Sequence, residues 1–129
     1  MEMIAVDTNV LIRFLVDDHP AEGKRARRVF ESHRVLVPES VLLESEWVLR
    51  AVYGFSREEI SGAFRALLCL PTVVVDERTL VMQVLDGFDE GFDFADALHD
   101  ARSAGLELKT FDRKFLNRGQ KHHWQISAP

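Results

Sequence analysis

Short apolar runs alternate with amphipathic stretches along the chain. Five apolar runs end at a polar or turn residue, as buried β-strands do: "MIAVD", "RVLVP", "TVVVD", "LELKTFD" and "WQIS". Between them, apolar residues recur every three or four positions, which predicts helices. These helices are "TNVLIRFLVDD", "PAEGKRARRVFESH", "ESVLLESEWVLRAVYG", "SREEISGAFRALLCL", "ERTLVMQVLDGF", "DFADALHDARSAG" and "RKFLNRG". The alternation indicates an α/β fold, with a mainly parallel sheet of four or five strands sandwiched between helices.

Several helix ends carry recognisable stop and start signals. Pro20 stands at the start of one predicted helix, where proline is tolerated. Gly54 and Gly105 follow the last apolar residues of two others, as C-terminal glycines do. Ser56 and Glu59 have the spacing of a capping box. These signals support the predicted order of helices.

The composition fits one globular domain. The chain has 129 residues, a mass of 14.8 kDa and 47% hydrophobic residues, without an internal repeat or a Gly/Ser-rich linker. We therefore expect a single domain over residues 1–129. The one cysteine, Cys69, excludes an internal disulfide, and "MEMIAVD" lacks the segments of a signal peptide. A reducing cytoplasm is the expected location.

Charge and hydropathy exclude two broad classes. No run approaches the ~18 consecutive apolar residues that a membrane-spanning helix needs. There are 21 acidic against 16 basic residues, a net charge of −5, which argues against a protein that coats nucleic acid non-specifically. The same balance is compatible with an enzyme whose acidic residues hold divalent cations.

Two aspartates stand at the ends of apolar strands. Asp7 ends "MIAVD" and Asp112 ends "LELKTFD". In parallel α/β sheets, ligands bind beyond the carboxyl ends of the strands, so both are candidate site residues. Asp7 also has a structural explanation, because an aspartate followed by Thr8 and Asn9 makes a good helix N-cap.

The helix "ESVLLESEWVLRAVY" carries two glutamates of different character. Glu46 precedes Arg50 by four residues, which is a favourable pairing on a helix surface. On a helical wheel, Glu44 falls beside Val48 and Ala51, so we expect burial of the helix to carry its carboxylate toward the core. An unpaired buried carboxylate needs a cation, a hydrogen-bond network or a proton. Glu44 is therefore the functional candidate of the two.

Three aspartates crowd one face of the helix "DFADALHDARSAG". Asp93, Asp96 and Asp100 have the spacing i, i+3, i+7, so their like charges need compensation. Asp93 fits an N-cap as well as a functional role, and Asp100 fits a solvated position. Asp96 is flanked by small residues that allow a close approach to another backbone, and it is our candidate from this set.

The four candidate acids share one kind of ligand chemistry. They are Asp7, Glu44, Asp96 and Asp112, and all four offer carboxylate oxygens. Carboxylate oxygens suit Mg²⁺ or Mn²⁺ better than zinc. Such metals neutralise a phosphate, activate a water molecule and stabilise the leaving oxygen of a phosphodiester. The residues therefore predict a metal-dependent phosphodiester hydrolase.

Four segments in order resemble the PIN-domain ribonucleases, specifically the VapC-type toxins of toxin–antitoxin pairs. The segments are "AVDTNVLIRFL", "VLLESEWVLR", "DFADALHDARSAG" and "LKTFDRKF". They are spread from residue 5 to residue 115, so the likeness covers nearly the whole chain. The resemblance implies a single PIN-like domain with a parallel sheet between helices and Mg²⁺- or Mn²⁺-dependent endoribonuclease activity. It also implies an RNA substrate, a homodimer and a small cognate antitoxin as partners.

The resemblance also assigns roles to residues of this sequence. It places the four acids of the family on Asp7, Glu44, Asp96 and Asp112, with Asp7, Asp96 and Asp112 as metal ligands. The polar positions that support the site by hydrogen bonding fall on Thr8, Asn9 and Thr110. An additional acid, found in part of the family, falls on Asp93. The chain departs from the family pattern after Asp112, where Arg113 and Lys114 follow without a further acid.

Other chemistry-bearing residues have ordinary explanations. The basic run from Lys24 to Phe30 is typical of a solvated helix face, with contact to an RNA backbone as the alternative. Adjacent histidines, His122 and His123, cannot share one face of a helix or strand, so a surface or dimer contact is expected. Trp47 and Trp124 are expected to be packing residues, and Cys69 a small buried one.

Two other functions remain open at this level. A phosphohydrolase of the haloacid-dehalogenase kind also ends its first strand on an aspartate, but it needs a second aspartate where this chain has Asn9. A catalytically silent interaction module with the same fold would not need the four acids, although acids can persist as helix caps.

Overall fold

The computed structural model describes residues 1–129 and divides into two compact units, residues 1–78 and 79–129. The predicted alternation of helices and strands is confirmed, with seven helices and five strands. The first unit contains β1 (Met3–Ala5), α1 (Thr8–Leu15), α2 (Pro20–Ser32), β2 (Arg34–Leu36), α3 (Glu39–Ala51), α4 (Arg57–Leu68) and β3 (Val73–Val74). Helix α5 (Arg78–Asp89) begins at the boundary, and the second unit continues with α6 (Phe94–Arg102), β4 (Leu108–Lys109), α7 (Arg113–Lys121) and β5 (Ile126–Ser127).

The first unit is built on a three-stranded parallel sheet in the order β1-β2-β3. Val35 of β2 is the central residue of the register, because it pairs with Ile4 on one side and with Val73 on the other. Two helices connect each pair of strands, since parallel strands cannot be joined by a tight turn. The side chains with the least exposure in this unit include Leu11, Val35, Leu42, Leu49, Ile60 and Phe64.

The second unit holds a separate parallel pair, β4 and β5. Its core is aromatic, since Phe88, Phe92 and Phe94 are each 2% exposed. The ring of Trp124 stacks on that of Phe92 with centroids 3.8 Å apart, as expected of a packing residue. Helix α7 lies very close to β5, because a Cβ atom at Gly119 would stand 2.6 Å from the Cγ2 atom of the β5 isoleucine.

The predicted α/β class and parallel pairing are confirmed, but the five strands form two sheets instead of one. The "LELKTFD" run suggested a strand buried within the main sheet. Its first leucine, Leu106, is 73% exposed, and β4 pairs with β5 alone. An apolar run can therefore belong to a small two-stranded sheet at the surface. The single-domain expectation stays a prediction.

The helix signals read from the sequence are found where they were predicted. Ser56 and Glu59 form a reciprocal capping box at the start of α4. Pro20 occupies the first turn of α2. Gly54 and Gly105 follow α3 and α6 with φ angles of 70° and 81°, a backbone region that favours glycine.

Two burial predictions are wrong. Trp47 is 54% exposed and Cys69 is also exposed, so neither packs in a core. Both residues lie on helices or their ends at positions that face solvent, where residue type alone is a poor guide to burial.

None of the helices combines the length and the apolar character that crossing a membrane would require.

Candidate functional site

Asp7 lies between the first strand and the first helix. Its Oδ1 atom accepts a hydrogen bond from the backbone N–H of Val10 at 3.1 Å, so the aspartate is the N-cap of α1. The residue is nevertheless exposed. The capping role anticipated from the sequence is thus real, and it leaves the second carboxylate oxygen, Oδ2, without a hydrogen bond within the chain.

A polar cavity of about 330 Å³ brings Asp7 and Glu44 together in the first unit. The β1–α1 connection and α3 supply its lining, which consists of Asp7, Thr8, Asn9, Ser40, Val41 and Glu44. Ser40 and Glu44 are four residues apart on α3, so they share one face of the helix. Ser40 was not among the residues predicted from the sequence, and its spacing of four residues from Glu44 is the one local signal that points to it.

The burial predicted for the two α3 glutamates is reversed. Glu46 is 2% exposed, whereas Glu44 is exposed. The buried stripe of α3 includes Leu42, Ser45, Glu46 and Leu49, which have helical spacing, and the wheel alone could not say that this stripe faces the core. The Nε atom of Arg50 reaches the Oε2 atom of Glu46 at 2.8 Å, so the pair is partly buried and not a surface pair. The case for Glu44 therefore rests on the cavity that it shares with Asp7.

In the second unit, the charges of two other acids affect the pKa of Asp96. Burial raises the pKa of Asp96, and the negative charges of Asp93 and Asp112 raise it further. Asp93 stands at the N-cap position of α6, but its side chain makes no capping hydrogen bond. Burial also raises the pKa of Asp100, which borders a different cavity of about 440 Å³ beside Trp124. Asp96 is thus the acid of this helix that other carboxylates affect.

Asp112 is held in the same way as Asp7. Its Oδ1 atom accepts a hydrogen bond from the N–H of Phe115 at 3.1 Å, which makes Asp112 the N-cap of α7. Its own N–H donates to the Oγ1 atom of Thr110 at 3.0 Å. Thr110 therefore holds the backbone of Asp112. Both strand-end aspartates cap the helix that follows them.

The donor atoms at these positions fit a hard divalent cation. No group of three or more histidine, cysteine, aspartate or glutamate side chains is already arranged to hold a metal ion. The available ligands are nevertheless carboxylate, hydroxyl and amide oxygens, which Mg²⁺ and Mn²⁺ prefer. Burial and the negative charges of Asp93 and Asp112 raise the pKa of Asp96, and a cation would compensate those charges. The chemistry of the residues is thus compatible with magnesium or manganese.

The adjacent histidines have other contacts. The Nδ1 atom of His122 lies 3.6 Å from a carboxylate oxygen of Glu90, and its ring lies against Phe92 with centroids 5.4 Å apart. His123 is exposed and has a φ angle of 62°. These contacts place His122 beside Glu90 and Phe92, in line with the surface contact expected for the histidine pair.

Comparison with known proteins identifies one family. The chain matches the PIN domain family over residues 4–121, which includes all four candidate acids. No curated protein matches the chain. PIN domains are generally nucleases, so the match accounts for acids at strand ends and on neighbouring helices. The chain belongs to the PIN domain family.

Proposed function

We propose that this protein is a Mg²⁺- or Mn²⁺-dependent endoribonuclease that hydrolyses phosphodiester bonds in RNA. The observation that carries the proposal is the polar cavity, where Asp7 and Glu44 meet in a chain of the PIN domain family. If Asp7 served only as the N-cap of α1, it would not need the carboxylate of Glu44 in the same cavity. The shared cavity therefore favours a catalytic role over a purely structural one.

Asp7, Asp96 and Asp112 would hold the metal ion in this proposal. When bound, the ion supplies positive charge to the phosphate and makes a water molecule more acidic. The N–H groups of Val10 and Phe115 keep the carboxylates of Asp7 and Asp112 in fixed orientations. Fixed ligands need little reorganisation when the substrate binds.

Glu44 has a separate task in the same reaction. It is exposed within the cavity and is not a helix cap. We assign it to orienting water near the phosphate and accepting the proton that this water releases. Such general-base assistance contributes roughly 100-fold or more to a hydrolytic rate.

Cleavage of labelled RNA by purified protein tests the proposal. We expect cleavage with Mg²⁺ or Mn²⁺, and no cleavage after EDTA is added. Glu44→Gln should lower the rate by about 100-fold or more, whereas Glu58→Gln, an exposed glutamate at the start of α4, should not change it. Undiminished cleavage in EDTA would overturn the metal mechanism.

The same experiment separates the two alternatives. A phosphohydrolase of the haloacid-dehalogenase kind would release phosphate from small phosphomonoesters and leave RNA intact, and Asn9 stands where its second aspartate belongs. A silent interaction module would show neither activity. Hydrolysis of phosphomonoesters, or no metal-dependent activity at all, would thus contradict the proposal in distinguishable ways.

We further propose that the nuclease is the VapC-type toxin of a type II toxin–antitoxin pair, located in the cytoplasm and acting as a homodimer. The support for this is the order and spacing of the four motif segments in a chain of this length. Induced expression should stop bacterial growth, and Asp7→Asn should abolish that effect. A small cognate antitoxin, encoded next to the gene, should restore growth. Growth that continues under wild-type expression, in cells without the antitoxin, would contradict the toxin role but not the nuclease activity.

A further inference from the structure

A second cavity of the first unit lies along α1 and α2. It measures about 440 Å³, and its lining consists of Asn9, Val10, Arg13, Glu22, Arg25, Ala26, Arg28 and Val29. We call it the α1–α2 groove. Neither the capping role of Asp7 nor the proposed chemistry uses this groove.

The α1–α2 groove adjoins the polar cavity that contains Asp7 and Glu44. Asn9 lines both of them, so the two cavities are neighbours on the surface of this unit. A chain molecule with one phosphate at the polar cavity can therefore extend past Asn9 into the groove. The shared residue distinguishes the groove from an isolated depression.

Two arginines of the groove keep their guanidinium groups available to a ligand. Arg25 and Arg28 are exposed and form no hydrogen bond or ion pair. Arg13 differs from them, because its Nε atom binds Glu22 at 2.7 Å and a terminal nitrogen lies 3.6 Å from Asp18. The lining of the groove thus carries three arginines against one acid, Glu22, in a protein whose net charge is −5, and the charge of Arg25 also acts on Glu22.

The chemistry of the groove fits a single-stranded nucleic acid. The guanidinium groups of Arg25 and Arg28 suit phosphate oxygens, since arginine donates hydrogen bonds in a planar fork. Val10, Ala26 and Val29 supply apolar surface beside them. A single strand can turn its bases toward such a surface, whereas a duplex keeps them paired and stacked.

We propose that the α1–α2 groove binds the sugar–phosphate backbone of single-stranded RNA through Arg25 and Arg28. This inference rests on the proposed ribonuclease function and specifies how the substrate is held outside the reacting bond. Arg25 and Arg28 touch the substrate and bind it, but they take no part in bond cleavage.

The sequence of α2 offers a matched control for this idea. Lys24 and Arg27 are also exposed on α2, yet neither lines the groove. The double variants Arg25→Gln/Arg28→Gln and Lys24→Gln/Arg27→Gln each remove two positive charges from the same helix. Glutamine has a helix propensity close to that of arginine and lysine, so both variants should fold and melt like the wild type.

Binding of a fluorescein-labelled oligouridine, measured by anisotropy in EDTA, tests the proposal without any cleavage. At low salt, the groove variant should bind on the order of tenfold more weakly than the wild type, and the control variant should bind within about twofold. The slope of log K against log salt should fall in magnitude by about 1.4 for the groove variant, because two phosphate contacts to a single strand are lost. Pairing the oligouridine with its complement should remove the difference between the two variants.

Three results would overturn the proposal: no measurable binding by the wild type, equal losses in both double variants, or full affinity in the groove variant. Full affinity in the groove variant would favour a segment of a partner protein, instead of RNA, as the ligand of the groove. A failure of the nuclease proposal is distinguishable, because wild-type protein would then bind oligouridine through the groove but cleave no RNA with Mg²⁺ or Mn²⁺.

Discussion

Asp7 combines a structural and a proposed catalytic role, and two substitutions separate them. Asp7→Ala removes the acceptor for the N–H of Val10, so in EDTA it should lower the free energy of unfolding by about 1 kcal/mol. Asp7→Asn keeps an oxygen that can cap the helix, so its stability in EDTA should stay close to that of the wild type. Urea titrations of the three proteins measure these differences.

Added Mg²⁺ completes the test of Asp7. A metal that binds only the folded state raises the melting temperature, so the wild type should gain more than Asp7→Asn does. An equal gain in both proteins would show that Asp7 is a cap and not a metal ligand.

Asp96 should make the stability of the metal-free protein depend on pH. Burial, together with the charges of Asp93 and Asp112, raises its folded-state pKa above the ordinary value. The folded state therefore holds the proton more tightly, and stability falls as the pH rises from the usual range of aspartate, about 4, through the folded-state pKa.

It follows that Asp96→Asn should raise the melting temperature near neutral pH in EDTA. The difference from the wild type should shrink as the pH approaches about 4, where the wild-type carboxyl is also becoming neutral. Differential scanning calorimetry across this range measures it. A lower melting temperature for Asp96→Asn at neutral pH would contradict the charge repulsion that we infer.

Glu44 and Glu46 should respond in opposite ways to the same substitution. Glu46→Gln weakens a charged hydrogen bond with Arg50 at a position that is 2% exposed, and it should cost on the order of 1 kcal/mol of stability. Glu44→Gln should cost less than about 0.5 kcal/mol, because Glu44 is exposed, while it abolishes most of the activity. Chemical unfolding and RNA cleavage are measured on both variants. A larger loss of stability for Glu44→Gln, or a larger loss of activity for Glu46→Gln, would contradict this assignment.

At the scale of elements, two helical glycines predict opposite effects of alanine. Gly62 lies in α4 with open space around it, so Gly62→Ala should stabilise the protein by roughly 0.5–1 kcal/mol. Gly119 lies in α7, where a new Cβ atom would stand 2.6 Å from the Cγ2 atom of Ile126. Because a β-branched side chain adapts poorly, Gly119→Ala should destabilise by about 1–3 kcal/mol. Stabilisation by both changes would show that α7 can move away from β5.

The helices were predictable because their signals are local. The capping box at Ser56 and Glu59, Pro20 in a first turn and the glycines after two helices all act within a few residues of the chain. The partner of a strand is not local information. Nothing in "LELKTFD" says that β4 pairs only with β5, so the sequence could not divide the five strands between two sheets.

The positions of candidate site residues along the chain were predictable, but their burial was not. The apolar runs place Asp7 and Asp112 just beyond two strands, although they do not give the exact ends, since β1 stops at Ala5 and β4 at Lys109. The face that α3 turns to the core depends on tertiary packing, and for this reason the burial of Glu44 and Glu46 was predicted the wrong way round. Ser40 was not predicted because its spacing from Glu44 carries little weight until the cavity that both residues line is known.

At the scale of the whole molecule, residues 79–129 test whether the chain is one domain. This unit has a sheet of two strands with two residues each, and chains below about 60 residues bury little surface. Expressed alone, residues 79–129 should be largely unfolded by circular dichroism, without a cooperative urea transition. A cooperatively folded fragment would instead mean that the chain contains two domains.

The helix caps limit the number of oxygens that the strand-end aspartates can offer. In Asp7 and in Asp112, the Oδ1 atom is already engaged by a backbone N–H, which leaves Oδ2 as the free oxygen of each carboxylate. Each residue is therefore suited to one-oxygen ligation instead of a bidentate grip. Mg²⁺ accepts six ligands at short, regular distances, whereas the larger Ca²⁺ is served well by bidentate carboxylates. If Asp7 and Asp112 hold the metal ion as we propose, the caps that begin α1 and α7 would favour the smaller ion.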